Sequence, residues 1–334
     1  MAGHEGPVAV AVSGGSDSLA LMHLAAAWAR QKGAAPPVVL TVDHGLSEGS
    51  AKTARQVVRW AKAAGLRAHI LAWEGRKPKS GIEAAARAAR YRLLGAWMAR
   101  HDVKTLCVGH TEDDQAETFL LRLARGSGLE GLAAMRPLTP WPVSPPGKEK
   151  FSDLSVARPL LGIGRAALRA HLDAIGQPWA DDPMNEDMAF DRVRIRKAAA
   201  ALAEAGLSAA RIAAAAAHLA RARAALETVT AAVLGRASRP GADGFLLDPA
   251  ALAAAPREIG LRGLSALLKI AGGRAYGPRF EALERLFDRI GTGTLGGGAT
   301  LHGCRIGPAR RREQVFGPGT LVLRPESSAS RRKA

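Results

Sequence analysis

A doubly wound α/β domain with a mostly parallel sheet, followed by a smaller and mainly helical domain, is the architecture this sequence predicts. Short apolar runs alternate with helical periodicity between Val8 and Val108, which is the pattern of buried parallel strands joined by crossover helices. Three of these runs empty into polar or glycine turns, at Ser13-Gly14-Gly15, Asp43-His44-Gly45 and Gly109-His110. Ligands of such sheets sit beyond the carboxyl ends of the strands. From Leu207 the composition changes to alanine-rich helix, which marks the second domain.

Val8 to Val12 reads as the first strand, and Leu19 to Trp28 as the helix after it. Between them, Ser13, Gly14, Gly15, Ser16, Asp17 and Ser18 form a phosphate-sized loop. Its glycines allow close backbone approach, and the first-turn N–H groups and helix dipole favour an anion. No lysine follows the glycines, so this is not the Gly-x-x-x-x-Gly-Lys-Ser/Thr loop. Asp17 would repel a naked phosphate, a conflict that a magnesium ion between them removes.

Val38 to Asp43 is the second strand, with Asp43 at its ligand end, and Ser50 is predicted to cap a helix running to about Ala64. Leu66 to Trp73 is a third strand. Glu83 to Tyr91 is a strong helix in which Glu83 and Arg87 are spaced i,i+4. The strand Leu106 to Gly109 leads to Thr111, the expected N-cap of the next helix. Glu112, Asp113, Asp114 and Glu117 follow. Acids favour a first helical turn, but so many at a ligand edge require a cation or a shared proton. Asp113 and Glu117 share one face by spacing, Asp114 and Thr118 the next. A magnesium ion or a substrate ammonium fits them. Arg125-Gly126-Ser127-Gly128 ends this helix in a turn suited to a phosphate or an RNA backbone.

Thr139 to Lys150 reads as an exposed, proline-rich insertion. Gly164 to Ile175 and Asp187 to Ala205 are helices, the second carrying Arg192 and Arg196 on one face. The boundaries expected are residues 1–206 for the first domain, 207–326 for a helical linker and small domain, and 327–334 for a disordered basic tail. Within the second domain, Pro249 to Ala271 and Gly277 to Ile290 read as amphipathic helices, and Leu295 to Leu323 as short strands joined by glycine turns.

Lys and Arg number 47 against 30 acids, a net charge of +17. A polyanionic partner accounts for that imbalance. Aromatics make up 4%, which argues against a stacking platform for single strands. Cys107 and Cys304 form no Cys-x-x-Cys pair, which argues against sulfur transfer through paired cysteines. The sequence has no apolar run of the roughly 20 residues a membrane span needs and no signal-peptide pattern at its start, so a cytoplasmic protein is expected.

Ser-Gly-Gly-Ser-Asp-Ser at 13–18 resembles the pyrophosphatase-loop (PP-loop) signature of ATP enzymes that release diphosphate. With Val42-Asp43-His44-Gly45-Leu46, Ala86-Arg87-x-x-Arg90-Tyr91, Gly109-His110-x-x-Asp113-Asp114-Gln115-x-Glu117-Thr118 and Leu123-x-Arg125-Gly126-Ser127-Gly128, the order and spacing are similar to those of the tRNA(Ile)-lysidine synthase family. The similarity continues through Arg158-Pro159-Leu160-Leu161 and Asp182-Pro183-Met184-Asn185-x-Asp187 to Arg192 and Arg196. Met184 and Val193 depart from the family's usual Ser or Thr and Asn.

The resemblance implies an adenine nucleotide α-hydrolase-like fold and ligation of free L-lysine to the wobble cytidine of a tRNA(Ile) with a CAU anticodon. The reaction passes through an adenylated cytidine and yields AMP and diphosphate. It implies ATP and Mg²⁺, with Asp17, Asp43, Asp113, Asp114 and Glu117 as candidate catalytic acids, Asp17 and Asp114 among them as metal ligands. Arg87, Arg90, Arg125, Arg192 and Arg196 are then the candidate RNA contacts. Other PP-loop tRNA modifiers, or an RNA-binding protein with an inactive nucleotide site, are the alternatives.

Overall fold

The structure is a computed structural model describing residues 6–46, 49–78, 80–142, 151–180, 191–274 and 276–326, with the side chains of Asp191 and Arg192 excepted. Most of the proline-rich insertion, the Asp182 to Asp187 motif with Met184, and the basic tail lie outside the described residues. The chain packs as two units, Met1–Ala220 and Arg221–Ala334.

The first unit runs β1 (Val8–Ala11), α1 (Ser16–Lys32), β2 (Val38–Asp43), α2 (Ser50–Ala63), β3 (Ala68–Ala72), α3 (Ile82–Arg100), β4 (Thr105–Cys107), α4 (Glu112–Ala124), α5 (Leu129–Leu132), β5 (Leu138–Pro140), β6 (Ser155–Ala157), α6 (Arg165–Ala174) and α7 (Asp191–Glu204). Its sheet has the order β3-β2-β1-β4-β6-β5, parallel except for β5. Alternation along β1 divides the core. Val8 and Val10 pack with Leu19, Met22, Leu168 and Leu172 on one face. Ala9 packs with Tyr91, Leu94, Met98 and Phe151 on the other. The chain reverses direction across the sheet between β1 and β4, and the crevice at their carboxyl ends is where a doubly wound sheet binds ligand.

α8 (Ala209–Ala237) spans the division between the units. The second unit continues with β7 (Ser238–Gly241), β8 (Gly244–Leu247), α9 (Pro249–Ala253), α10 (Arg257–Gly272), α11 (Phe280–Gly291), β9 (Ala299–Leu301), β10 (Cys304–Pro308) and β11 (Leu321–Pro325). The strands form an antiparallel sheet in the order β7-β8-β11-β10-β9. Leu264, Leu268, Phe287, Ile306 and Leu323 meet in its core.

Three local expectations are corrected. The helix predicted over Pro249 to Ala271 is two helices, because Pro256 lacks an N–H and takes the N-cap position of α10; Asp248 caps α9. Ser238–Gly241, within the stretch expected as helical linker and small domain, is edge strand β7, a position that tolerates proline. Gly49 rather than Ser50 holds the N-cap of α2. Among the described residues no single helix is long and apolar enough to cross a membrane.

Candidate active site

The glycine loop sits at the carboxyl end of β1. Gly14 has φ +100°, and a Cβ there would meet Thr53 Cγ2 at 2.9 Å, so only glycine fits. Gly15 is the N-cap of α1 with ordinary backbone angles, and among the described residues a Cβ on it would approach only Ser13 Oγ, at 3.8 Å. Space is therefore kept above Gly15. The Ser18 hydroxyl closes the loop on itself, donating to Gly15 O at 2.9 Å and accepting from Ser13 N–H at 3.1 Å. Among the described residues no side chain caps α1, which leaves its first-turn N–H groups for an anion. Gly109, after β4, lets that strand end lie against the first turn of α1: its Cβ would stand 3.0 Å from Asp17 O.

Four of the predicted acids surround one residue that the sequence reading passed over. Arg165, the first residue of α6, has its backbone N–H bonded to Asp113 Oδ2 at 2.7 Å. Its Nε donates to Asp17 Oδ2 at 3.0 Å, while Nη2 lies 3.7 Å from Asp114 Oδ1 and Nη1 3.7 Å from Glu117 Oε1. Asp113 thus serves the N-terminus of α6. Asp114 completes a capping box with Thr111, whose N–H and hydroxyl donate to Asp114 Oδ2 at 2.8 and 2.9 Å. Glu117 is buried and held by Arg196 through both oxygens, at 2.5 and 3.1 Å. Arg196, grouped with Arg192 as a candidate RNA contact, ties α7 to α4 through this pair. The side chain of Arg192 lies outside the described residues.

Asp43 stands at the end of β2, where Oδ1 accepts from Gly45 N–H at 3.0 Å and from the Ser50 hydroxyl. Next to it, Arg90 Nε donates to His44 Nε2 at 3.4 Å, so the proton of a neutral His44 sits on Nδ1, a buried atom with no partner among the described residues. Burial, then the charges of Arg90 and Lys77, push the His44 pKa down to about 4 against the opposing pull of Asp43. Arg87 lies over the Tyr91 ring at 5.1 Å. Arg125 is exposed at the carboxyl end of α4.

Further groups that the sequence did not disclose support the site. Arg169 Nε reaches Ser16 Oγ at 3.4 Å. Buried Gln115 clamps the backbone of Met135, accepting from its N–H at 2.7 Å and donating to its carbonyl at 3.3 Å. Arg158 donates to His110 Nδ1 at 3.2 Å. Each is a polar residue inside a motif or helix whose partner is distant in sequence. A run of acids around a strand end was the one signal that announced a cationic centre.

Among the described residues no three His, Cys, Asp or Glu side chains come together to hold a metal ion. Asp17 and Asp114 nevertheless supply hard oxygen donors, both turned toward Arg165. Mg²⁺ is commonly held by one or two carboxylates together with substrate phosphates. The donor set suits a Mg²⁺ that arrives with a nucleotide.

Residues 3–202 match the model of a PP-loop domain family. The chain is 42% identical to the tRNA(Ile)-lysidine synthase of Hyphomonas neptunium, over 97% of this chain and 84% of that protein. It is 41% identical to the protein of that name from Methylobacterium nodulans, over 97% and 91%. The one from Ruegeria pomeroyi is 42% identical, over 89% and 70%. Among solved structures, the U34-tRNA thiolase NcsA from Methanococcus maripaludis superposes with a TM-score of 0.52 at 15% identity, covering 64% of this chain and 72% of that one; this likeness concerns the fold.

Proposed function

The chain belongs to the tRNA(Ile)-lysidine synthase family of PP-loop proteins, and on that premise we propose how its residues divide the work of ATP-dependent lysidine formation. In a tRNA(Ile) with a CAU anticodon, the carbonyl oxygen of the wobble cytidine attacks the α-phosphorus of ATP. The bond between the α- and β-phosphates breaks, and diphosphate leaves. The ε-amine of free L-lysine then attacks the same cytidine carbon, the C–O bond to AMP breaks, and the surplus amine proton passes to an acid and on to solvent.

The observation that carries this reading is the juxtaposition of an uncapped glycine-loop helix with Asp17, Asp114 and Glu117 gathered on Arg165. The loop from Ser13 to Ser18 binds the phosphates through backbone N–H groups and hydroxyls. Asp17 and Asp114 would hold Mg²⁺, which when bound neutralises the departing diphosphate. Asp43 Oδ1 accepts from Gly45 N–H and the Ser50 hydroxyl, and Asp113 Oδ2 from Arg165 N–H; these two acids orient the loops around the site. The lysine ammonium is assigned to the buried Glu117, whose oxygens it would share with Arg196 and Arg165. Releasing the free amine at pH 7 from a group of pKa near 10.4 costs about 4–5 kcal/mol; the carboxylate beside it holds the ammonium in place and accepts its proton as the C–N bond forms. Arg87, Arg90 and Arg125 contact tRNA phosphates, which position the substrate without reading its sequence.

Thiolation through paired cysteines is disfavoured. Cys107 and Cys304 are both buried, and burial pushes the Cys107 thiol up to about 12, where it is neither a nucleophile nor a sulfur carrier.

The test is nucleoside mass spectrometry of tRNA(Ile) with a CAU anticodon after incubation with the protein, ATP, Mg²⁺ and isotopically labelled lysine. A labelled lysidine nucleoside replacing one cytidine is expected. Recovery of unmodified cytidine, or of a thiolated base when sulfide is supplied, would reject the reading.

A further inference from the structure

We propose that Arg165 occupies the cation position among the acids while the protein is free, and that its guanidinium moves onto the nucleotide's phosphates when the divalent cation takes that position. The inference rests on the assignment of Asp17 and Asp114 to Mg²⁺ above.

The geometry around Arg165 is uneven. One nitrogen makes a hydrogen bond, Nε to Asp17 at 3.0 Å, whereas the two Nη atoms stand 3.7 Å from Asp114 and Glu117. At that distance the contacts are Coulombic rather than hydrogen-bonded. A guanidinium carries five N–H donors in a planar fork that matches phosphate oxygens. Among the described residues the Nη side is held by charge alone, so the Nε–Asp17 hydrogen bond is the directed side-chain bond that the movement breaks. Four carboxylates, Asp17, Asp113, Asp114 and Glu117, gather around Arg165 and Arg196, so these groups keep two net negative charges and attract a further cation.

The backbone of Arg165 does not have to move. Its N–H is fixed by Asp113, and α6 is anchored through buried Leu168 and Leu172. Only the side chain swings, beside the first turn of α1, where the phosphates bind. Arg165 is thus a positioning residue for the acids in the free protein and a phosphate ligand in the complex. A salt bridge with a purely structural role would stay in place in both states.

Mn²⁺ binding to the full chain, followed by electron paramagnetic resonance without nucleotide, tests the first half. Arg165→Gln removes the competing cation, so Mn²⁺ should bind at least about tenfold more tightly than to wild type. Arg165→Lys, which keeps the charge, should stay within about threefold. Arg30→Gln, exposed in the last turn of α1 and away from the acids, should leave the affinity unchanged. Unchanged or weaker Mn²⁺ binding by Arg165→Gln overturns the proposal, as does equal tightening in Arg30→Gln. The second half is read in wild-type protein by NMR of the arginine side-chain Nε–H groups. The Arg165 signal, assigned by its loss in Arg165→Lys, should shift on adding Mg²⁺ with a non-hydrolysable ATP analogue. A signal that stays in place while the analogue binds overturns the proposal even where the Gln variant does not fold. Neither readout requires lysidine formation, so failure of this inference and failure of the proposed reaction are separately visible.

Discussion

Arg196 grips both carboxylate oxygens of Glu117, joining α7 to α4 across 79 residues of sequence. The pair is lopsided, since 32% of the Arg196 side chain is exposed against 6% of that of Glu117. Removing the arginine leaves a buried carboxylate whose nearest remaining cation among the described residues is Arg165 at 3.7 Å. Breaking a fully buried pair costs about 3–5 kcal/mol; the exposure of Arg196 lowers this to roughly 1–3 kcal/mol. Arg196→Ala should lose that much stability in urea unfolding followed by circular dichroism. Arg196→Ala combined with Glu117→Gln should lose less, because no uncompensated charge remains. A double variant no more stable than the single one would show that packing, not charge, sets the loss.

The two loop glycines separate folding from nucleotide binding. Gly14→Ala places a Cβ at φ +100° and 2.9 Å from Thr53 Cγ2. The conformation alone costs roughly 1–2 kcal/mol, so melting temperature and ATP affinity should fall together. Gly15→Ala meets no strain in the free protein, and its melting temperature should be close to wild type while ATP affinity drops at least about tenfold, because the new methyl stands where the phosphates come. Calorimetric ATP titration with thermal melts checks both, and a Gly15→Ala protein that binds ATP normally would remove the phosphates from this loop.

His44 gives a pH signature. Its folded pKa of about 4 lies below the ordinary 6.5, so the unfolded chain takes up a proton first as the pH falls. Stability is then lost from about pH 6.5 downward and levels off below about pH 4. Between pH 7 and 5 the loss from this residue is about 1–2 kcal/mol. His44→Gln should flatten that part of the profile when urea midpoints are compared at the two pH values. An identical slope in wild type and variant would mean that His44 is solvated and titrates normally.

How legible was this site before the fold was known? The loop from Ser13 to Ser18 was, because a valine strand broken by two glycines and restarted as a helix has few structural solutions. The capping box was half legible: Thr111 could be named from its place after β4, but the side chain of Asp114 turning back to it depends on rotamer. Arg165 was invisible. It begins an ordinary amphipathic helix, and its acid partners are distant in sequence except in the folded sheet. The Glu117 partner of Arg196 was hidden for the same reason, since helical spacing says which residues share a face and not what that face meets. In the second unit, β7 was hidden because Ser-Arg-Pro-Gly carries no period-two apolar pattern.

Binding to tRNA should be strongly salt-dependent, as the net charge of +17 implies. Contact with about five phosphates gives a log–log slope of about −3.5 to −4.5. Arg125→Gln, at the exposed end of α4, should weaken binding to cognate and non-cognate tRNA alike and reduce the slope by about 0.7–0.9. Filter binding at several salt concentrations measures both effects. Weakening confined to the cognate tRNA would make Arg125 a base-reading residue instead.

The central claim, that this loop and its acids transfer AMP and not a terminal phosphate, is tested most directly by the fate of ATP labelled in its α-phosphate. With tRNA(Ile) and lysine present, wild-type protein should release labelled AMP in equal amount to lysidine. Asp17→Asn should release none while still binding tRNA within about twofold, since an acid does not attract RNA. Labelled ADP as the product, or undiminished AMP release by Asp17→Asn, would contradict the account.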